Sequence, residues 1–303
     1  MTIQAMLSTR AARCALLIVS AIWLAMMMAP WARAGETAGA GRIVSIGGSV
    51  TEIIYALGEQ ERLVARDRTS TYPREAGGLP DIGYIRALSP EGVMSVNPGM
   101  IIALEGYGPP EAASVLRQAG IPLVEVPEGH DGAAILAKIG KVASALGVED
   151  KGAALAARVS ADLESAARAA RGVSPKRKVL FILSMQGGRI MAAGRNTHAD
   201  GIIAMAGGVN AMADVEGYKQ VTDESLIQAA PDLILMMNRM GDHDVSAETV
   251  FAHPAIAPTP AAANRALVRM DGLYLLGFGP RTAQAAMELG RAIAGTGAGE
   301  RSN

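Results

Sequence analysis

Ser89 to Ala103 reads SPEGVMSVNPGMIIA, and Thr222 to Met236 reads TDESLIQAAPDLILM. The two stretches align without a gap. Each opens on a hydroxyl residue (Ser89, Thr222) and carries a glutamate two residues on (Glu91, Glu224). Each continues with an apolar pair at helical spacing, a proline (Pro98, Pro231) and an apolar run. A hydroxyl cap followed by a first-turn acid starts a helix. An apolar run bounded by a turn residue is a buried strand. A second pairing lies ahead of each unit: Ser49-Val50-Thr51-Glu52 and Thr197-His198-Ala199-Asp200 both combine a hydroxyl cap with an acid three residues on. Both pairs occur in the same order, which reads as two similar halves.

Outward from the repeat, strands alternate with helices. Arg42–Ile46, Met100–Leu104, Pro122–Val126, Lys178–Ser184 and Asp232–Met236 are apolar runs of strand length. Val50–Leu57, Pro110–Ala119, Asp200–Ala206 and Ala283–Ala294 read as helices. That alternation predicts mainly parallel sheets covered by helices. Between the halves, Ala153–Ala170 holds neither Pro nor Gly and predicts one long helix, with a break near Gly147 ahead of it and Gly172 and Pro175 ending it. The expected fold is α/β: two Rossmann-like lobes, 42–145 and 176–296, bridged by a long helix within 146–175, with a ligand cleft between them.

The ends do not belong to these lobes. Arg10 and Arg13 precede Ala15–Ala29, an uninterrupted apolar run, and Ala32-Arg33-Ala34 supplies small residues at signal-peptidase spacing. The run is shorter than the ~20 residues a spanning helix needs. Residues 1–34 read as a cleavable signal peptide, 35–41 as a flexible leader and 297–303 as a tail. The chain has 28 Lys plus Arg and 29 Asp plus Glu, and three of the arginines leave with the signal, so the mature protein is mildly acidic. That argues against a nucleic-acid partner. Cys14, the only cysteine, precedes the apolar run, so the mature chain has no disulfide and no thiolate site.

Gly83-Tyr84 precedes the first repeat unit and Gly217-Tyr218 the second. Two aromatics facing across a cleft suit a flat, apolar, partly charged ligand. Tyr84-Ile85-Arg86 puts a phenol and a guanidinium two residues apart; in an extended segment both point the same way. A nearby cation favours phenolate. Phenolate is a hard anionic ligand for ferric iron, and Arg86 would support it or pair with a carboxylate. Methionines of the second half (Met185, Met191, Met236, Met237, Met240, Met270) add soft, adaptable surface.

The stretches RIVSIGGSVTEIIYALG, RTSTYP, LPDIGYIRALSPEGVMSVNPGMIIA, MAAGRNTHADGIIAMAGG and LLGFGPR resemble the periplasmic haem-binding proteins of bacterial haem ABC importers. These belong to the wider group of helix-linked binding proteins for cobalamin, siderophores and haem. The resemblance runs from about Arg42 to Ala294, with Gly83–Glu91 its most haem-specific part. It implies that Tyr84 is the axial ligand of a ferric haem and that Arg86 supports the ligand. Where some members present a second-lobe histidine before a Gly-Gly pair, this chain has Met185-Gln186-Gly187-Gly188, so Met185 or Gln186 takes that place, and Tyr218 is a candidate ring contact. It further implies a periplasmic, monomeric protein delivering haem to an inner-membrane permease dimer with its ATPase. The wider group docks through one acid per lobe, read here as Glu52 and Asp200.

Three rivals are weaker. A cobalamin or ferric-siderophore carrier shares the fold, and a siderophore site would need several cleft arginines or aromatics. A zinc or manganese carrier needs three or four converging ligands; of His130, His198, His243 and His253 only the first lies in the first lobe. An enzyme is disfavoured: Gly47-Gly48-Ser49 lacks the lysine of a phosphate loop, there is no G-x-S-x-G elbow, and Asp242-His243-Asp244 reads as a solvated loop.

Overall fold

The computed structural model describes residues 41–238 and 245–295. The signal and tail segments, Met240 and the Asp242-His243-Asp244 cluster lie outside the described residues, as does all of the leader but Gly41.

The first lobe runs β1 (Ile43–Ile46), α1 (Gly48–Ala56), β2 (Leu63–Arg66), α2 (Pro90–Met94), β3 (Met100–Leu104), α3 (Pro110–Gln118) and β4 (Leu123–Val126). Its four strands are all parallel, in the order β2-β1-β3-β4. Every residue of β1 is buried, as a central parallel strand covered on both faces requires. The repeat takes the same form in both halves. The Ser89 hydroxyl accepts from Gly92 N–H at the start of α2. The Thr222 hydroxyl accepts from Ser225 N–H at the start of α7 (Asp223–Ala229), and a strand follows each helix.

The second pairing holds only in the second lobe. The Thr197 hydroxyl caps α6 (His198–Met205) by accepting from Asp200 N–H. Ser49 caps nothing: Gly47, at φ 108, turns the chain early and α1 begins at Gly48. The Gly47 N–H is taken by Asp67 Oδ1 at 2.8 Å, from 20 residues away. A positive φ suits glycine, so the long-range carboxylate replaces the local cap.

Between the sheets in chain order come α4 (Gly132–Leu146) and α5 (Glu149–Arg171), a helix of 23 residues, about 34 Å long. Gly147, left-handed at φ 69, ends α4. A side chain on Gly152 would meet the Ala143 Cβ at 2.3 Å, so the two helices cross at near backbone contact.

The second lobe continues with β5 (Lys178–Gln186), β6 (Arg189–Ala193), α6, β7 (Val209–Asn210), β8 (Tyr218–Val221), α7, β9 (Leu233–Met237), α8 (Ala247–Ala252), α9 (Pro260–Ala263), β10 (Leu267–Met270), α10 (Gly272–Leu276) and α11 (Thr282–Ile293). The order is β10-β9-β5-β6-β8, with β7 beside β5. Strands β10, β9 and β5 are parallel, whereas β6 runs antiparallel to both β5 and β8. This antiparallel part goes beyond the sequence expectation. It follows from Gly187 (φ 56) and Gly188 (φ 74), whose positive φ angles match a tight two-residue hairpin. One core cluster unites both lobes, from Ile43 and Ile101 through Val159 of α5 to Phe181, Ala199 and Leu289. A second, including Leu180, Ile182, Ile234 and Met236, covers the opposite face of the second sheet.

Candidate ligand-binding cleft

Beyond β2 the chain doubles back along its own edge. Arg68 N–H donates to Gly83 O at 2.7 Å and Ile82 N–H to Arg66 O at 3.1 Å. Asp81 anchors this pairing: it accepts from Gly83 N–H at 2.7 Å and pairs with Arg66 and Arg68 at 3.3 and 3.4 Å. Partial burial pushes its carboxyl up, but the Gly83 hydrogen bond and the two guanidinium groups outweigh this and hold it below the usual range. Gly83 sits at φ 107, which frees the next residue to turn outward. Tyr84 to Ala87 is then a turn closed by Ala87 N–H on Tyr84 O at 2.8 Å, not the extended segment the sequence suggested. Ile85 is buried beside Gly47, while Tyr84, 43% exposed, and Arg86 both face outward.

Tyr218 does not mirror Tyr84. It opens β8, lies half-buried with its ring edge-on to Phe181 at 6.4 Å, and packs on the core that joins the lobes. Burial pushes its phenol up; the Ala199 N–H, the Thr197 side chain and the positive charge of Arg86 pull the other way. The positive charge of Arg86 in the first lobe is thus felt at Tyr218 in the second, but the Tyr218 hydroxyl is held at the start of α6. Met185 turns elsewhere. A register shift between Ile182 and Ser184 flips the alternation of β5, and Met185 packs with the second cluster, on the face opposite Tyr218's support. Among the described residues no three His, Cys, Asp or Glu side chains converge to hold a metal ion.

Neither docking candidate is a free surface acid. Glu52 is only 5% exposed. Arg281, just ahead of α11, grips it with Nε at 3.0 Å, Nη2 at 2.9 Å and its backbone N–H at 3.2 Å. The Arg281 Cζ lies 3.4 Å from the Tyr72 ring centroid and 5.1 Å from that of Tyr274. Asp200 is half-buried and accepts from Asn210 Nδ2 at 2.9 Å and Asn196 N–H at 3.2 Å. The exposed matched acids are instead Glu91 and Glu224, one in each repeat unit. The repeat alignment itself pairs them.

A second set of residues had no sequence signal. Lys138 of α4 is fully buried, with Nζ 2.5 Å from Glu128 Oε1 and 3.4 Å from Gly277 O. His198 Nε2 of the second lobe lies 3.2 Å from the same Glu128 oxygen. Burial alone would raise the Glu128 carboxyl; the His198 contact and the Lys138 ammonium bring it down to about 2. Phe278, buried and left-handed at φ 48, stands edge-on to His198 at 5.2 Å. The segment Gly277–Arg281 thus meets the first lobe at both Lys138 and Glu52.

The family model described as periplasmic binding protein matches residues 43–273. Among solved structures, the periplasmic heme-binding protein RhuT from Roseiflexus sp. RS-1, in apo form, is 40% identical, with a TM-score of 0.81, covering 84% of this chain and 98% of that one. The periplasmic heme-binding protein BhuT in complex with two hemes is 39% identical, with a TM-score of 0.80 and the same coverage. Among curated proteins, an uncharacterized ABC transporter substrate-binding lipoprotein, YvrC of Bacillus subtilis, is 27% identical over 255 residues (83% of this chain, 79% of that protein). A vitamin B12-binding protein of Vibrio parahaemolyticus is 26% identical over 219 residues (71% and 78%).

Proposed function

The chain belongs to the periplasmic binding protein family, and from that premise we propose that it captures ferric haem between its lobes and delivers it to an inner-membrane ABC importer. The observation that carries this reading is the turn at Tyr84. An exposed phenol and an exposed guanidinium flank a buried isoleucine on one turn of the first lobe. Two solved relatives near 40% identity bear the description heme-binding, which supports the same ligand.

In this reading ferric iron displaces the phenol proton of Tyr84 and takes its oxygen as axial ligand. Arg86 neutralises the oxygen or holds a propionate. No chemistry is done on the cargo. Residues 1–34 direct export and are removed after Ala34, and the mature protein acts in the periplasm as a monomer. Docking to the two-fold permease dimer uses Glu91 and Glu224, exposed at matched places on the two lobes; Glu52 and Asp200 are framework residues. Complementary charge of this kind sets orientation and on-rate.

Cobalamin is the second reading, favoured by the curated relative described as vitamin B12-binding. Visible spectroscopy of the mature protein separates the two. Ferric haem is expected to give a shifted Soret band with phenolate charge-transfer features. Tyr84→Phe, which keeps the ring and removes only the oxygen, should lose those features and bind at least about tenfold more weakly. An unshifted haem spectrum in the wild type, or haem displaced by equimolar cobalamin, would overturn the haem reading.

A further inference from the structure

Among the described residues two aromatic side chains are strongly exposed, Tyr84 at 43% and Tyr72 at 42%. Tyr72 has no place in the scheme above. Its loop leaves the end of the edge strand β2, and Arg68 N–H in it donates to Gly83 O beside Tyr84, so the two tyrosine-bearing loops lie side by side on one edge of the first lobe. Tyr72 also reaches the second lobe, with the Arg281 guanidinium at 3.4 Å on its ring. That guanidinium is not free to leave, because Glu52 holds it through a two-pronged, largely buried pair. The ring is therefore fixed at the boundary between the lobes and still leaves much of its surface in water. A ring held there against a guanidinium leaves part of its surface open to a flat partner.

We propose that Tyr72 is a second ring-contacting residue of the cleft, stacking on the macrocycle without touching the metal, and that Arg281 is a positioning residue which sets the plane of that ring. The inference rests on the haem reading above. Tyr84 supplies the bond to iron, and Tyr72 supplies selectivity for a planar, unsaturated body. Arg281 acts only through Tyr72: its charge is spent on Glu52, and its flat face rather than its charge holds the ring.

The test is a ferric-haem titration of the mature protein followed in the Soret region, for wild type, Tyr72→Ala, Tyr72→Phe and Arg281→Lys, and for Arg281→Lys combined with Tyr72→Ala. Tyr72→Ala should weaken binding about tenfold while leaving the charge-transfer bands of the Tyr84 ligand unchanged. Tyr72→Phe should bind as wild type. Arg281→Lys keeps the pair with Glu52 and loses the flat face, so it should weaken binding in the wild-type background and add nothing to Tyr72→Ala. Tyr72→Leu, which restores apolar bulk without a ring, replaces the alanine variant if that one does not fold. Wild-type affinity in Tyr72→Ala or Tyr72→Leu, or altered charge-transfer bands in either, would overturn this inference and leave the haem reading standing. A wild type that does not shift the haem spectrum sinks both.

Discussion

Replacing Glu52 by Gln separates a framework acid from a docking acid. The side chain keeps its size, but one oxygen becomes an amide NH2 pointed at the Arg281 guanidinium. Both oxygens are in use: Oε1 accepts from Arg281 Nε and N–H, Oε2 from Nη2. The Glu52 and Arg281 side chains are 6% and 21% exposed. Removing one partner of a buried ion pair costs ~3–5 kcal/mol because the other charge is stranded; partial exposure of Arg281 argues for the lower end, about 3 kcal/mol. For a protein of this size that corresponds to a fall in Tm of roughly 6–12 °C. Scanning calorimetry of wild type and Glu52→Gln at neutral pH reads it directly, and Arg281→Lys should fall less because the charge stays. A Glu52→Gln variant with unchanged Tm that no longer stimulates the permease ATPase would refute the reasoning and return Glu52 to the docking surface.

Two further outcomes follow from the same contacts. Glu91→Ala together with Glu224→Ala should leave the haem spectrum and Tm unchanged and lower stimulation of ATP hydrolysis by the reconstituted importer at least about tenfold; full stimulation would remove these acids from docking. Glu128, held near 2 when folded against 4.5 unfolded, contributes stability that is present above pH 4.5 and is lost as pH falls toward 2. Glu128→Gln should therefore flatten the dependence of stability on pH across that window, by about 2–3 kcal/mol at most; an unchanged acid limb in urea titrations at successive pH values would contradict the assignment.

What could be read in the sequence was what local pattern determines. The apolar runs of β1, β3, β5 and β9 and the capped units at Ser89 and Thr222 are legible because their causes lie within a few residues. The exposure of Tyr84 and Arg86 was also legible, since a buried Ile85 between two exposed neighbours arises from a turn as well as from a strand. What the sequence did not show has distant causes. Glu52 fits a local capping pattern, yet its partner stands 229 residues on. Lys138 looks like an ordinary helix lysine, and only the approach of Glu128 and Gly277 O makes it a buried charge. Strand β8, YKQV, is too polar and short to announce itself; it is an edge strand that follows from the hairpin at Gly187-Gly188. Met185 packs with the second cluster because one register shift reverses which face a strand residue occupies.

The core that runs unbroken from Ile43 to Leu289 ties the two halves into one cooperative block. Such a molecule works as a caliper with its jaws set rather than as a trap that snaps shut. If that shared core holds the lobes at one spacing, a change of cargo has to be carved from the side chains lining the jaws. Grafting one jaw from a relative would succeed only if the matching Glu52–Arg281 and Glu128–Lys138–His198 partners came with it.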